Sequence, residues 1–301
     1  MHDLKIIREN GNGTRSNWID NSMLFSKKVM PPVLYHYSDV NALKGIVDNK
    51  ELWATHWNYL NDKNEFRGAL DILKECIDYR VRDEKTSKTM KDYLICQMNW
   101  LKDDYLVQYD TGLCSFSEEG DLLSQWRGYG KKYKSVSIGF DTSKIQCSRN
   151  SKEGLQLFFW KVVYDDEEKK DIFNLLLNHI NSLSFTNSTY MFFHVCLCQL
   201  LLCCKEKCWG EEKEWRLILL PTGNYEMGFR QNEYGLIPYY KLKCFKENKA
   251  VNPTTKNEAV DAIKEIILPK SEYFDKAKKA LCLYNKDLES KILQSEISIT
   301  Y

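Results

Sequence analysis

The sequence predicts an α+β fold. Segments of strand-type alternation and segments of helical periodicity are interleaved along the chain. They follow one another without the regular βαβ rhythm of a doubly wound sheet. No internal repeat, low-complexity tract or linker interrupts residues 31–301, so that span reads as one domain.

Residues 1–30 are polar, carry "ENGNGTRSN" and lead into Pro31-Pro32, the pattern of a tail or edge element. "VLYHYS" is a short apolar strand, and "SDVNALKGIVDNK" a helix with Ser38 or Asp39 as its N-cap. "ELWATHW" is a second strand. A helix then opens after Asn61-Asp62 and runs to about residue 83, followed by a polar helical stretch to about residue 108. "GLCSFSE" reads as a strand and "DLLSQWRGYG" as a short helix closed by glycine. "KSVSIGFD" and "LQLFFWKVVYD" have strand character, and residues 168–208 are mostly helical. "EWRLILLP", "GLIPYYKLK" and "AIKEIILPK" are strands, the last leading into a helix over about 271–286. "SKILQSEISITY" closes the chain as a strand.

The charge balance bears only on a global field and leaves a local basic patch open. With 43 basic and 42 acidic residues the net charge is +1, which gives no global field for a nucleic-acid binder. The 18 tyrosines and 8 tryptophans suit a flat, stacking ligand and equally suit an aromatic core. Eleven cysteines without paired CxxC blocks, after a start unlike a signal peptide, point to free thiols in a reducing cytoplasm. "HVCLCQLLLCCKEKC" is read as a buried helix whose cysteines act as small hydrophobes; a metal set of His194, Cys198, Cys204 and Cys208 has unfavourable spacing. "MFFHVCLCQLLLCC" is too short to span a bilayer, which needs about twenty residues.

No GxxxxGK[ST], strand-borne GxGxxG, HExxH or GxSxG occurs, so P-loop NTPases, Rossmann dehydrogenases, zinc proteases and serine hydrolases drop away. Cys114 and His36 could meet as a nucleophile pair, yet nothing in sequence marks the thiol as activated. Four polar or aromatic stretches remain at predicted strand ends: "LYHYS", "NYLNDKNEF", "CSFSEEGDLLSQWRGYG" and "WGEEKEWRLIL". The last crowds Glu211, Glu212 and Glu214 at a strand mouth, where like charges repel unless solvent or a ligand relieves them.

Together with "VSIGF", "IKEIILPK" and "SEISITY", these blocks resemble, in order from residue 33 to 301, the bacterial domain-of-unknown-function family 2971, whose name implies no activity. A more distant resemblance, to ADP-ribosyltransferases, rests on a strand-borne His before a helix, an S-x-S strand and an E-x-E before a strand. It implies a split mixed or antiparallel sheet with flanking helices, NAD as substrate, and transfer of ADP-ribose to a protein, a nucleic acid or water. It also implies a bacterial toxin or antiviral effector.

Carried onto this chain, His36 takes the place that holds the adenosine ribose, Ser115-Phe116-Ser117 the S-T-S place, Glu214 the catalytic carboxylate and Glu212 its E-x-E companion. Phe116 departs from the middle Thr. Tyr37, Tyr59, Trp126 and Tyr129 compete as the aromatic that stacks on nicotinamide, with Arg127 beside them.

The chemistry has a physical rationale. Cleavage of the nicotinamide–ribose bond passes through an oxocarbenium-like state, and nicotinamide leaves neutral, so a single carboxylate facing the ribose supplies the main electrostatic stabilisation. Structural roles compete at each residue. His36 can bond a neighbouring strand, and Ser115 and Ser117 can be sheet polar groups. Asn61-Asp62 can cap a helix with Glu65, Trp126-Arg127 can be an anchor or cation–π pair, and Arg216 can pair with Glu214 or Glu212. A non-catalytic nucleotide- or partner-binding module is the alternative function, and a metal-dependent nuclease built on Glu211-Glu-Lys213 a third.

Overall fold

Asp39 ends one strand and caps the helix that follows: its Oδ1 accepts from the Asn41 and Ala42 amides, both at 2.9 Å. The computed structural model of this chain describes residues 29–60, 66–101, 110–129, 134–146, 149–150, 155–183, 186–221, 227–232, 235–246 and 257–298. Expectations for residues 1–28, for the helix start at Asn61-Asp62 and Glu65, and for residues 299–301 fall outside them.

In chain order the elements begin with β1 (Val33–Asp39), α1 (Val40–Asn49), β2 (Leu52–His56), α2 (Arg67–Arg82) and α3 (Lys88–Trp100). Next come β3 (Gly112–Ser117), α4 (Leu123–Tyr129), β4 (Ser135–Asp141), β5 (Arg149–Asn150) and β6 (Leu155–Lys161). α5 (Asp166–Asn181) and α6 (Asn187–Leu202) precede β7 (Glu214–Pro221), β8 (Met227–Asn232) and β9 (Gly235–Leu242). α7 (Glu258–Ala262), β10 (Ile263–Leu268), α8 (Phe274–Tyr284) and β11 (Ile292–Gln294) complete the set. The closing strand is therefore short, and β8 is an element the sequence reading does not contain.

The chain divides into two compact units: residues 1–29, 61–109 and 161–209, and residues 30–60, 110–160 and 210–301. No Pro-, Gly- or Ser-rich linker marks the junctions, which is why the sequence reads as continuous. In the first unit α2 buries Ala69, Leu70, Leu73, Cys76 and Ile77, the i, i+1, i+4, i+7, i+8 stripe of an amphipathic helix, and packs on α5. Tyr93 of α3 meets Phe193 of α6 edge-to-face, with ring centroids 6.0 Å apart. In α6, Cys196 and Cys198 are buried, as are Cys203 and Cys204 just beyond it. Among the described residues no group of three or more His, Cys, Asp or Glu is arranged to hold a metal, and no helix is long and apolar enough to cross a membrane.

The second unit carries the sheet, so the predicted α+β class is the observed one. The main path runs β11-β10-β4-β1-β3-β2-β9-β8, and β7, β6 and β5 continue from the other edge of β3. β10 and β11 run parallel, while β1 lies antiparallel to both β3 and β4, so the sheet is mixed. One face packs Leu34, Phe116, Ile138, Phe140, Trp215 and Leu217 into the core with α1 residues Leu43, Ile46 and Val47. Burying each such side chain contributes about 1.5–3 kcal/mol before conformational entropy is charged against it.

A branch point positions the site. β7 pairs with the whole of β3, from Gly112↔Leu219 to Ser117↔Glu214. The other edge of β3 is shared: β1 meets it only at Tyr35↔Ser117, and β2 only at Thr55↔Leu113 and His56↔Gly112. Between those contacts the β3 backbone from Cys114 to Phe116 faces a gap.

Candidate functional site at the branch of the sheet

The His36 imidazole fills part of the gap. Its Nδ1 donates to the Ser115 carbonyl at 2.9 Å, standing in for a ladder hydrogen bond that the divergence of β1 from β3 removes. A carbonyl only accepts, so Nδ1 carries the proton, and Nε2 is an acceptor with no hydrogen-bond partner among the described residues. Desolvation by burial holds the ring's pKa below its usual value, and the positive charge of Arg230 presses the same way. His36 is therefore neutral.

Cys114 does meet His36, with Sγ 3.8 Å from Nδ1. Burial pushes the thiol up to about 12, however, which favours its protonated form. Phe116 is buried, its ring centroid 5.7 Å from that of His36, and packs edge-to-face on Phe140 and Phe159.

The other face of the same strands holds the remaining motif residues. Tyr35 is the partner of Ser117 and Ser117 the partner of Glu214, so these three project together. His36 is one residue from Tyr35 and projects oppositely. The register thus brings the three motif strands side by side in the order β7–β3–β1, but sends the imidazole and the Glu214 carboxylate to opposite faces.

Glu214 is 5% exposed and Arg216 3%. They form a bidentate pair, Nε to Oε1 at 2.8 Å and Nη2 to Oε2 at 2.9 Å. Glu212 is also buried, and its backbone carbonyl accepts from Ser117 Oγ at 2.7 Å, while Ser117 Oγ accepts from the Glu119 amide at 3.0 Å. Ser117 thereby pins the E-x-E turn to β3, and Ser115 beside it is half-buried. The crowding seen in sequence is relieved by geometry: Glu211 is exposed, Glu214 is paired with Arg216, and Lys213 pairs with Glu119.

Tyr37 and Trp126 pack on each other and on the loop before α4. Tyr37 Oη donates to the Glu119 carbonyl at 2.7 Å and accepts from the Leu122 amide at 2.9 Å. Its ring meets Trp126 edge-to-face at 5.2 Å. Trp126 is fully buried, and its Nε1 donates to Asp121 at 2.6 Å. Asp121 also accepts from Ser295 Oγ and the Glu296 amide, at 2.7 and 2.8 Å, tying the "SEIS" segment to the loop before α4. Arg127 and Tyr129 are exposed on α4. Tyr59 is 46% exposed and meets His56 edge-to-face at 5.7 Å. It lies just beyond β2 in the chain.

The sequence reading passes over Arg230 entirely. This residue sits on β8, opposite Ile237, and its Nη2 donates to Thr55 Oγ1 at 2.7 Å. The side chain is half-buried, and desolvation by burial lowers its pKa. A local signal exists in the sequence, since "MGFRQN" and "GLIPYY" are only two residues apart and the second opens on Gly235, which has φ +128°. The single apolar pair Met227 and Phe229 is too little alternation to announce a strand.

Concavities lined by described residues occur beside Glu75, Asp78, Tyr79, Arg82 and Asp83, and beside Asn257, Asp261, Lys286 and Lys291; neither includes His36 or Glu214. Residues 125–217 match the model of a family described as protein of unknown function (DUF2971). That span takes in Glu212 and Glu214 and begins after β1 and β3. Neither the curated proteins nor the solved structures compared with this chain give a match.

Proposed function

We propose that this chain, whose residues 125–217 match that family of unknown function, is an ADP-ribosyltransferase-like module that binds an NAD-type nucleotide at the branch of its sheet without turnover. The observation that carries the reading is the adjacency of the three motif strands, with Ser117 the common partner of Tyr35 and Glu214. The gap beside β3, edged by a neutral imidazole with a free acceptor and by a guanidinium, supplies the polar groups such a ligand needs.

Binding without turnover is favoured by the state of Glu214. To face an oxocarbenium-like ribose, its carboxylate would have to leave Arg216, and breaking a buried pair of this kind costs about 3–5 kcal/mol. It also lies on the face opposite His36. A catalytic reading, with ADP-ribose passed to a macromolecule or to water, draws support from the strand order and requires the pair to open.

Calorimetry of the full chain with NAD and ADP-ribose, alongside chromatography for free nicotinamide, tests both. Saturable binding with no nicotinamide supports the module. Nicotinamide release abolished by Glu214→Gln would replace it with the enzyme, and absence of binding to either compound would remove both.

A further inference from the structure

The Arg230 guanidinium has five donors, one of which is used, on Thr55. Among the described residues no carboxylate forms an ion pair with it. Asp39 acts on it only at longer range, and its Oδ1 is already engaged by two helix amides. A half-buried cation without a counter-charge is costly, and such groups persist where an anionic ligand supplies the missing charge.

The hairpin is built to place it. Gly228 lies opposite Tyr239, and a Cβ at Gly228 would come within 2.6 Å of the Tyr239 ring, so only glycine lets that ring lie across β8. Trp53 stacks on the other side of Tyr239, with centroids 4.2 Å apart and ring planes 23° apart. Thr55, Tyr239, Gly228 and Arg230 follow the same register, which puts the guanidinium over the end of β2 where β2 joins β3, beside the gap.

We propose that Arg230, oriented by Thr55 Oγ1, is the anion-binding residue of the branch and holds the phosphates of a small phosphorylated ligand between β1 and β2. The assignment rests on the nucleotide-binding reading only for naming those phosphates as a nucleotide's.

Inorganic pyrophosphate is the probe, followed by thermal shift and calorimetry on the full chain. Pyrophosphate is expected to raise the wild-type melting temperature, and Arg230→Gln to weaken its affinity by at least about tenfold. Arg230→Gln without ligand is expected to melt no lower than wild type, because it removes an uncompensated charge. Thr55→Val, which keeps the charge and frees its anchor, is expected to weaken binding about three- to tenfold. Equal pyrophosphate affinity in wild type and Arg230→Gln would overturn the assignment, as would a melting temperature lowered in Arg230→Gln with no pyrophosphate effect in wild type. Pyrophosphate binding lost in Arg230→Gln while NAD fails to bind leaves the anion site standing and removes the nucleotide. NAD bound equally by wild type and Arg230→Gln does the reverse.

Discussion

Arg216→Met isolates the role of the E-x-E segment. Arg216 and Glu214 are 3% and 5% exposed and share two hydrogen bonds of 2.8 and 2.9 Å. Removing the guanidinium leaves the Glu214 carboxylate buried without this partner, at a cost of about 3–5 kcal/mol. A domain of this size shifts by about 2–4 °C per kcal/mol, so the melting temperature should fall by on the order of 10 °C. The double variant Glu214→Met/Arg216→Met removes both charges and should recover much of the loss, because an apolar pair of similar volume is often tolerated in place of a buried ion pair. Circular dichroism melts of wild type, both single variants and the double close the cycle. Additive effects, or an Arg216→Met protein as stable as wild type, would refute the structural role of Glu214 and return it to the pool of reactive carboxylates.

Three further outcomes are expected. Burial lowers the pKa values of His36, His56, His179 and His194, so the unfolded chain binds protons more readily than the folded one. Their contribution is present above the unfolded value near 6.5 and is lost as pH falls below it toward the folded values; melts at pH 7.5 and pH 5 should show the lower stability at pH 5, with a shallower dependence in His36→Gln. Cys114, buried and protonated, should resist iodoacetamide in the native protein while the exposed Cys96 and Cys208 are alkylated, as mass spectrometry of peptides would report. Asp39→Ala removes the α1 cap and should cost about 1 kcal/mol by urea denaturation, with Asp39→Asn nearly neutral.

Much of the fold is legible in the chain because its local signals agree with the tertiary outcome. "VLYHYSD" followed by a capping Asp39 and "VNALKGIVDN" is β1 and α1, and "SVSIGFD" is β4. Arg230 is missed because β8 is a half-polar edge strand, in which pairing with β9 rather than burial decides the conformation. The candidate site is legible only to the level of which strands adjoin. Placing His36 and Glu214 on a shared face needs the register of β1 on β3, and a slip of one residue reverses it. That register is set by Tyr35, whose hydroxyl donates to Glu265 at 2.5 Å and whose ring lies where a Cβ at Gly120 would come within 2.4 Å. Those partners lie 230 and 85 positions away in sequence, beyond the reach of local periodicity. Arg216 as the partner of Glu214, by contrast, follows from two-residue spacing on one strand and is among the competing readings the sequence itself supplies.

The most direct test is a crystal structure of the full chain grown with ADP-ribose. The account predicts the pyrophosphate between β1 and β2, within hydrogen-bonding distance of Arg230, with the Arg216–Glu214 pair intact. Density for the ribose against a Glu214 released from Arg216, with the phosphates out of reach of Arg230, would contradict it.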